Sequence, residues 1–246
     1  MTKQSEERRL ARFILERAPW LVLTGAGIST ESGIPDFRTP GAGLWEHYNP
    51  MALLSTETLN NDPETFYRIG YPVLRKFRDA LPNPAHLVLA DWERREWVRG
   101  VVTQNIDSLH IRAGSREVLE IHGHLRTGSC RRCRSIFPID RLEEQLAKAI
   151  IPPRCLCGGL LRPDVVLFGD QLPDDFSKAQ MLARSHPVLV VGSSLTVSPA
   201  NLLPSVAPEL VIVNVGPTPY DDRATYRFQE KAGVFFPRLH ALLLGQ

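Results

Sequence analysis

The chain has 246 residues, room for one large domain with a smaller module attached. Its apolar fraction of 43% excludes a disordered polymer, and 29 Lys and Arg against 27 Asp and Glu exclude nucleic-acid binding driven by bulk charge. No apolar run reaches the roughly 20 residues of a membrane span, and the opening MTKQSEERRLARF lacks the apolar core of a secretory leader, so a soluble cytoplasmic protein is expected.

Residues 5–18 place Leu10, Phe13 and Ile14 on one helical face behind Ser5 as N-cap. Trp20–Thr24 is a short unbroken apolar run that stops at Gly25-Ala26-Gly27, a buried strand entering a tight turn. Residues 34–60, with Pro35, Pro40, Gly41, Gly43 and Pro50, read as a long loop over that strand. Residues 84–96 are helical in pattern, and Val98–Thr103 is a second buried run, ending at Gln104-Asn105-Ile106-Asp107. Residues 124–162 break the rhythm and hold all four cysteines together with Pro152 and Pro153. A helical stretch at 174–184 then precedes two further runs, Val188–Val191 ending at Gly192-Ser193-Ser194 and Leu210–Val213 ending at Asn214.

Apolar runs without alternation suit strands buried on both faces, and their interleaving with helices predicts a doubly wound parallel α/β sheet of Rossmann type. The division predicted is a first part at 1–123 with a cofactor loop at about 34–60, an inserted module at 124–162, and a second part at 163–246. All four candidate strands end in small or polar residues, as a ligand crevice at the carboxyl ends of an open sheet requires. Gly25-Ala26-Gly27 fits either a phosphate-binding turn or a plain strand-to-helix turn, since position 30 is Thr where a third glycine is usual. Asn214 fits either a ribose contact or an ordinary turn. Cys130, Cys133, Cys155 and Cys157 crowd into one short stretch, which in a reducing compartment favours metal over disulfides.

Gly25-Ala26-Gly27-Ile28-Ser29, Gly33-Ile34-Pro35-Asp36-Phe37-Arg38, Thr103-Gln104-Asn105-Ile106-Asp107, His122-Gly123, Pro163 through Gly169, Gly192-Ser193-Ser194-Leu195 and Val213-Asn214 closely resemble, in order and spacing, the motifs of the sirtuin family. The likeness runs from about residue 20 to residue 225 and is nearest to the compact bacterial and archaeal members. It implies an NAD-dependent protein-lysine deacylase: NAD loses nicotinamide, the acyl oxygen of an acyl-lysine attacks C1′ of the ribose, and a base activates a ribose hydroxyl. The products are free lysine, nicotinamide and an O-acyl-ADP-ribose.

On this resemblance His122 matches the base, a role that suits imidazole because its ordinary pKa of about 6.5 leaves it neutral at physiological pH. Without the His-Gly motif His122 would read as structural, as His86, His110 and His124 do. Asn105 and Asp107 match the pocket for the nicotinamide amide, with Ile106 packed on the ring. Phe37 matches the shield beside the reactive ribose, Arg38 a phosphate contact, and Asp36 a residue that orders their loop. Ala26, Thr30, Gln104, Gly192, Ser193, Ser194, Asn214 and Val215 match positions lining the dinucleotide. Val165 to Gly169, Val166, Phe168 and Gly169 among them, resemble the edge that receives the peptide as a strand, with Leu195 and Val197 on its other side. Asp170 stands where the family has Glu.

The two cysteine pairs match the family's zinc ribbon. Four thiolates close a tetrahedral, structural site with one zinc expected per chain; one residue between Cys155 and Cys157, rather than two, is the departure. Relatives that take acidic acyl groups carry Tyr-x-x-Arg, but Tyr67 is followed by Gly70 and Tyr71 by Leu74, so neutral acyl groups, acetyl first, are expected. The partners expected are acetyl-lysine proteins or peptides, with no membrane and no direct nucleic-acid binding. A protein mono-ADP-ribosyltransferase would share the NAD residues, and a second rival is a zinc-ribbon binding module, locally basic at Arg126, Arg131, Arg132 and Arg134, on a catalytically inert scaffold.

Overall fold

The unbroken apolar runs become the centre of the large sheet. A computed structural model describes residues 3–35 and 49–245 and gives nine strands among them: β1 (Trp20–Thr24), β2 (Val98–Thr103), β3 (Val118–Glu120), β4 (Gly123–Cys130), β5 (Ile136–Pro138), β6 (Leu161–Val165), β7 (Val188–Val191), β8 (Leu210–Val213) and β9 (Tyr226–Phe228). The α-helices are α1 (Lys3–Arg17), α2 (Pro50–Leu53), α3 (Thr56–Asn61), α4 (Pro63–Thr65), α5 (Tyr71–Arg75), α6 (Pro84–Arg94), α7 (Leu109–Arg112), α8 (Asp140–Ala147), α9 (Asp174–Ser185) and α10 (Ala232–Leu243). No described helix is long and apolar enough to cross a membrane.

Six strands form a wholly parallel sheet in the order β3-β2-β1-β7-β8-β9. The order reverses direction between β1 and β7, which places the ligand crevice of a doubly wound sheet at their carboxyl ends. One face is covered by α1, α6 and α10 through Leu10, Ile14, Trp92, Phe235 and Phe236, the other by α9 and the 200–206 turn through Ala179, Ala183 and Leu203. Burial on both faces is what the non-alternating runs demand.

A second, antiparallel sheet, β5-β4-β6, carries the cysteines and spans 123–165, slightly beyond the 124–162 read from composition. Its core is shared. Phe66, Tyr67, Tyr71, Leu74 and Phe77, from the helical run that starts at Pro50, pack with Leu125, Phe137, Leu142 and Leu161. Tyr67 Oη donates to the Leu161 carbonyl and Tyr71 Oη to Glu143 at 2.9 Å. Residues 50–60, read in sequence as part of a long loop, are instead helical except at Leu54 and Ser55, with Ser55 capping α3 through Thr58 N at 3.0 Å.

Candidate active site and metal centre

Two strand-end turns interlock at the switch point. Gly25 N donates to Val191 O (3.2 Å) and Gly27 N to Gly192 O (2.8 Å). A Cβ on Gly27 would lie 2.7 Å from Gly192 O, and one on Gly192, whose φ is +61°, would lie 2.2 Å from Ile28 N. The glycines thus allow turn-on-turn contact. The N–H groups of Gly25, Gly27 and Gly192 are all bonded within the protein, and together the turns form the floor of the crevice.

That floor is a buried polar chain. Asn105 Nδ2 donates to Gly25 O and to Ser29 Oγ, both at 3.1 Å, and Ser29 Oγ donates to Asp107 Oδ2 at 2.7 Å. Leu109 N, at the start of α7, donates to the other Asp107 oxygen at 2.9 Å. Asn105 and Asp107 are buried and Ser29 fully so. Burial pushes the Asp107 carboxyl above the ordinary range, and the bonds from Leu109 and Ser29 only partly offset this. The chain fixes which way the Asn105 amide faces, as recognition of another amide needs. Ser29 was not singled out from sequence as a site residue, although it closes the Gly25–Ser29 motif.

Arg126 was also missed. Read as part of a basic ribbon, it instead forks onto Glu120 with two bonds of 2.6 Å and reaches Ser108 Oγ at 2.5 Å. Ser108 follows Asp107 in a left-handed turn of φ +61°, so a guanidinium from the small sheet steadies the Asp107 loop.

His122 lies between β3 and β4. Its Nδ1 is 2.9 Å from the Gln104 carbonyl, a contact that requires the proton on Nδ1 and leaves Nε2 basic. Burial lowers its pKa, and the Gln104 bond opposes this, so the ring is neutral at physiological pH. Its backbone carbonyl accepts from Val166 N at 2.8 Å. The next residue, Gly123, has φ +74°, and a Cβ there would stand 2.2 Å from Asp164 O. Gly123→Ala is therefore expected to cost at least about 1–2 kcal/mol from the left-handed backbone alone, more from the clash, and to move His122. A denaturation midpoint equal to the parent's would contradict this. His86 and His110 are fully enclosed, and burial holds His86 at about 4 and His110 well down, in keeping with structural roles.

The four cysteine sulfurs lie within 4.8 Å of one another, with Cys130–Cys157 at 3.5 Å and Cys133–Cys155 at 3.8 Å, and none is disulfide-bonded. Thiolates about 2.3 Å from a tetrahedral zinc stand about 3.8 Å apart, so the cluster fits that ion. The short Cys155–Cys157 spacing is met by a turn, Gly158 N to Cys155 O at 2.8 Å, that turns Leu156 outwards.

A sequence model of the Sir2 family matches residues 25–199. The chain belongs to the Sir2 family. It is 51% identical, over 92% of its length and 91% of the relative's, to NAD-dependent protein deacetylase 2 of Caldanaerobacter subterraneus subsp. tengcongensis. It is 42% identical, over 88% of both chains, to the NAD-dependent protein deacetylase of Sulfurisphaera tokodaii. Among solved structures it matches Sir2 with a deacetylated p53 peptide and 3′-O-acetyl ADP ribose, at a TM-score of 0.89 and 37% identity, covering 94% of this chain and 96% of that one. A Sir2 complex with p53 peptide and NAD+ matches at 0.86 and 37% identity, covering 96% and 97%.

The remaining site residues of this Sir2 chain divide clearly. Gln104 Nε2 reaches Ser193 Oγ at 3.0 Å, joining β2 to β7 across the crevice. Thr30 Oγ1 donates to Gly27 O at 3.0 Å, Ser194 Oγ meets Thr196 Oγ1 at 2.8 Å, and Asn214 Nδ2 holds Gly216 O at 2.9 Å. Ala26 and Ile106 are half-buried and Val215 is exposed. Leu195 is only 1% exposed, packed under the sheet, so a peptide can meet its backbone but not its side chain. Val197 and Phe168 are exposed, whereas Phe168 N and O are already bonded to Leu54 O (3.0 Å) and Thr56 N (2.9 Å). Asp170 accepts from Arg162 and Leu167 N, so the residue replacing the family's Glu closes its own turn. Phe37, Arg38 and Asp36 lie outside the described residues.

Proposed function

We propose that this chain removes acetyl groups from protein lysines with NAD as consumed co-substrate, yielding nicotinamide, O-acetyl-ADP-ribose and free lysine. The observation that carries this reading is His122, its Nδ1 spent on the Gln104 carbonyl, standing beside the Asn105–Ser29–Asp107 chain at the switch point. NAD supplies an electrophilic ribose carbon and a nicotinamide leaving group. Asn105 and Asp107 would hold the nicotinamide amide and Ile106 would pack on its ring, while His122 would take the ribose hydroxyl proton at Nε2. Ala26, Thr30, Gln104, Gly192, Ser193, Ser194, Asn214 and Val215 would line the dinucleotide, and the family resemblance assigns the ribose shield to Phe37 and a phosphate contact to Arg38.

The peptide enters as a strand between Val166–Gly169 and Leu195–Val197. Backbone bonding of this kind binds many sequences. The one structural zinc holds the small sheet at Cys130, Cys133, Cys155 and Cys157 and stands apart from the chemistry. The chain divides into 1–123, 124–162 and 163–246, and four cysteines held as zinc thiolates rather than disulfides suit a reducing cytoplasm.

Incubation with an acetyl-lysine peptide and NAD, followed by mass spectrometry, is expected to show nicotinamide and deacetylated peptide in equal amounts. ADP-ribose left on protein with no deacetylated peptide would reverse the reading in favour of a mono-ADP-ribosyltransferase. Tyr67 is enclosed against Leu161 and Tyr71 bonds to Glu143, and the residues three positions on are Gly70 and Leu74, so no Tyr-x-x-Arg pair offers a guanidinium to an acidic acyl group. Deacetylation is therefore expected to outpace desuccinylation on matched peptides, and the opposite order would refute the assignment.

A further inference from the structure

The near-neutral net charge of the chain conceals an asymmetry. Residues 124–162 carry eight Arg and Lys against three Asp and Glu, a net of +5 that a zinc held by four thiolates, itself 2−, reduces to +3, while the rest of the chain, 21 against 24, stands at −3. Some of that positive charge is absorbed: Arg126 by Glu120, Arg162 by Asp170, and Arg141 against the Phe137 ring. Arg131, Arg132, Arg134 and Arg154 have no carboxylate within 4 Å among the described residues. All four sit on the two cysteine turns. Arg132 Nη1 donates to Cys157 O (2.8 Å) and Arg154 Nη1 to Gly158 O (3.3 Å), so both guanidiniums lie on the 155–158 turn.

The same tip holds the two most exposed large apolar side chains among the described residues, Leu156 at 94% and Ile136 at 73%. They are linked through the metal cluster: Leu156 adjoins Cys155, whose sulfur is 3.8 Å from that of Cys133, which contacts Ser135 next to Ile136. The turns are tied by Arg134 N to Cys130 O, Arg131 N to Leu160 O and Cys155 N to Gly159 O, so the surface is preformed. A preformed apolar centre within a charged rim is the anatomy of a protein interface.

We infer that the cysteine-turn tip is a docking surface for an acidic, leucine-bearing polypeptide segment. Carboxylates satisfy the unpaired arginines, and an apolar side chain covers Leu156 and Ile136. A nucleic acid fits less well, because the tip offers no aromatic side chain for bases to stack on and phosphates would leave both apolar side chains uncovered. The surface is separate from the peptide-receiving segments and does not depend on how the catalytic residues are assigned.

The test is fluorescence anisotropy of the whole, metal-loaded chain with a fluorescein-labelled Asp/Glu peptide carrying two leucines four residues apart. Comparison probes are the same peptide with both leucines changed to serine, and a DNA duplex. Saturable binding is expected, weakening with salt, lost by at least about tenfold in Arg134→Glu/Arg154→Glu and by about threefold or more in Leu156→Ser. Zinc content and deacetylation of a short uncharged acetyl-lysine peptide should stay at parental values. If the double variant loses metal, Leu156→Ser and Ile136→Ser carry the comparison. Absent binding, binding unchanged in the variants, or tighter capture of the duplex than of the leucine peptide would each overturn the assignment, the last in favour of a nucleic-acid surface.

Discussion

His122→Ala lowers deacetylation turnover by about two to four orders of magnitude while leaving the unfolding midpoint within a few degrees of the parent's. The side chain contributes one hydrogen bond, to the Gln104 carbonyl, worth about 1 kcal/mol, and the local backbone is held independently by Val166 N on the His122 carbonyl. Activity and stability should therefore separate. The pH profile gives a second check. Burial holds the His122 pKa below the ordinary value of 6.5, so the base form dominates at neutral pH and the rate falls only as the ring protonates. The acid limb of the turnover profile is expected at half height below pH 6.5, and should vanish in whatever activity the variant retains. A variant with parental turnover would show that another group takes the proton.

Removing the metal should affect the small domain far more than the parallel sheet. Chelation, or Cys133→Ser, is expected to release one zinc per chain, abolish turnover and melt the β5-β4-β6 sheet, because structural zinc sites supply on the order of 10 kcal/mol or more of folding free energy in small modules. The large sheet has its own apolar layers on both faces and should survive, so unfolding becomes two separate transitions. Far-UV circular dichroism with zinc analysis reads both. A metal-free chain that unfolds once, at the parental midpoint, would end the structural role of the ion.

What the sequence makes legible follows from where its signals are dense. β1, β2, β7 and β8 have the bounds of their apolar runs, because strands buried on both faces leave no other pattern. The edge strands β3 and β9, three residues each and only partly buried, leave too short a trace. The run from Pro50 to Arg75 was hidden for a different reason: it is broken into pieces of a turn or two, punctuated by Pro50, Pro63 and Pro72, and gains its helicity from packing on the small sheet. Within the site, His122, Asn105 and Asp107 were found through motif order. Ser29 and Arg126 act through partners about 80 and 20 residues away in the chain, and spacing alone does not reveal such pairs.

The shared core under the cysteines bears on grafting. A transplant of 124–162 onto another scaffold would carry Leu125, Phe137, Leu142 and Leu161 without Phe66, Tyr67, Tyr71 and Phe77, which cover them here. The metal-binding segment is thus half of a two-part cassette, and any chimera that exchanges it between relatives must exchange the helical run beginning at Pro50 along with it.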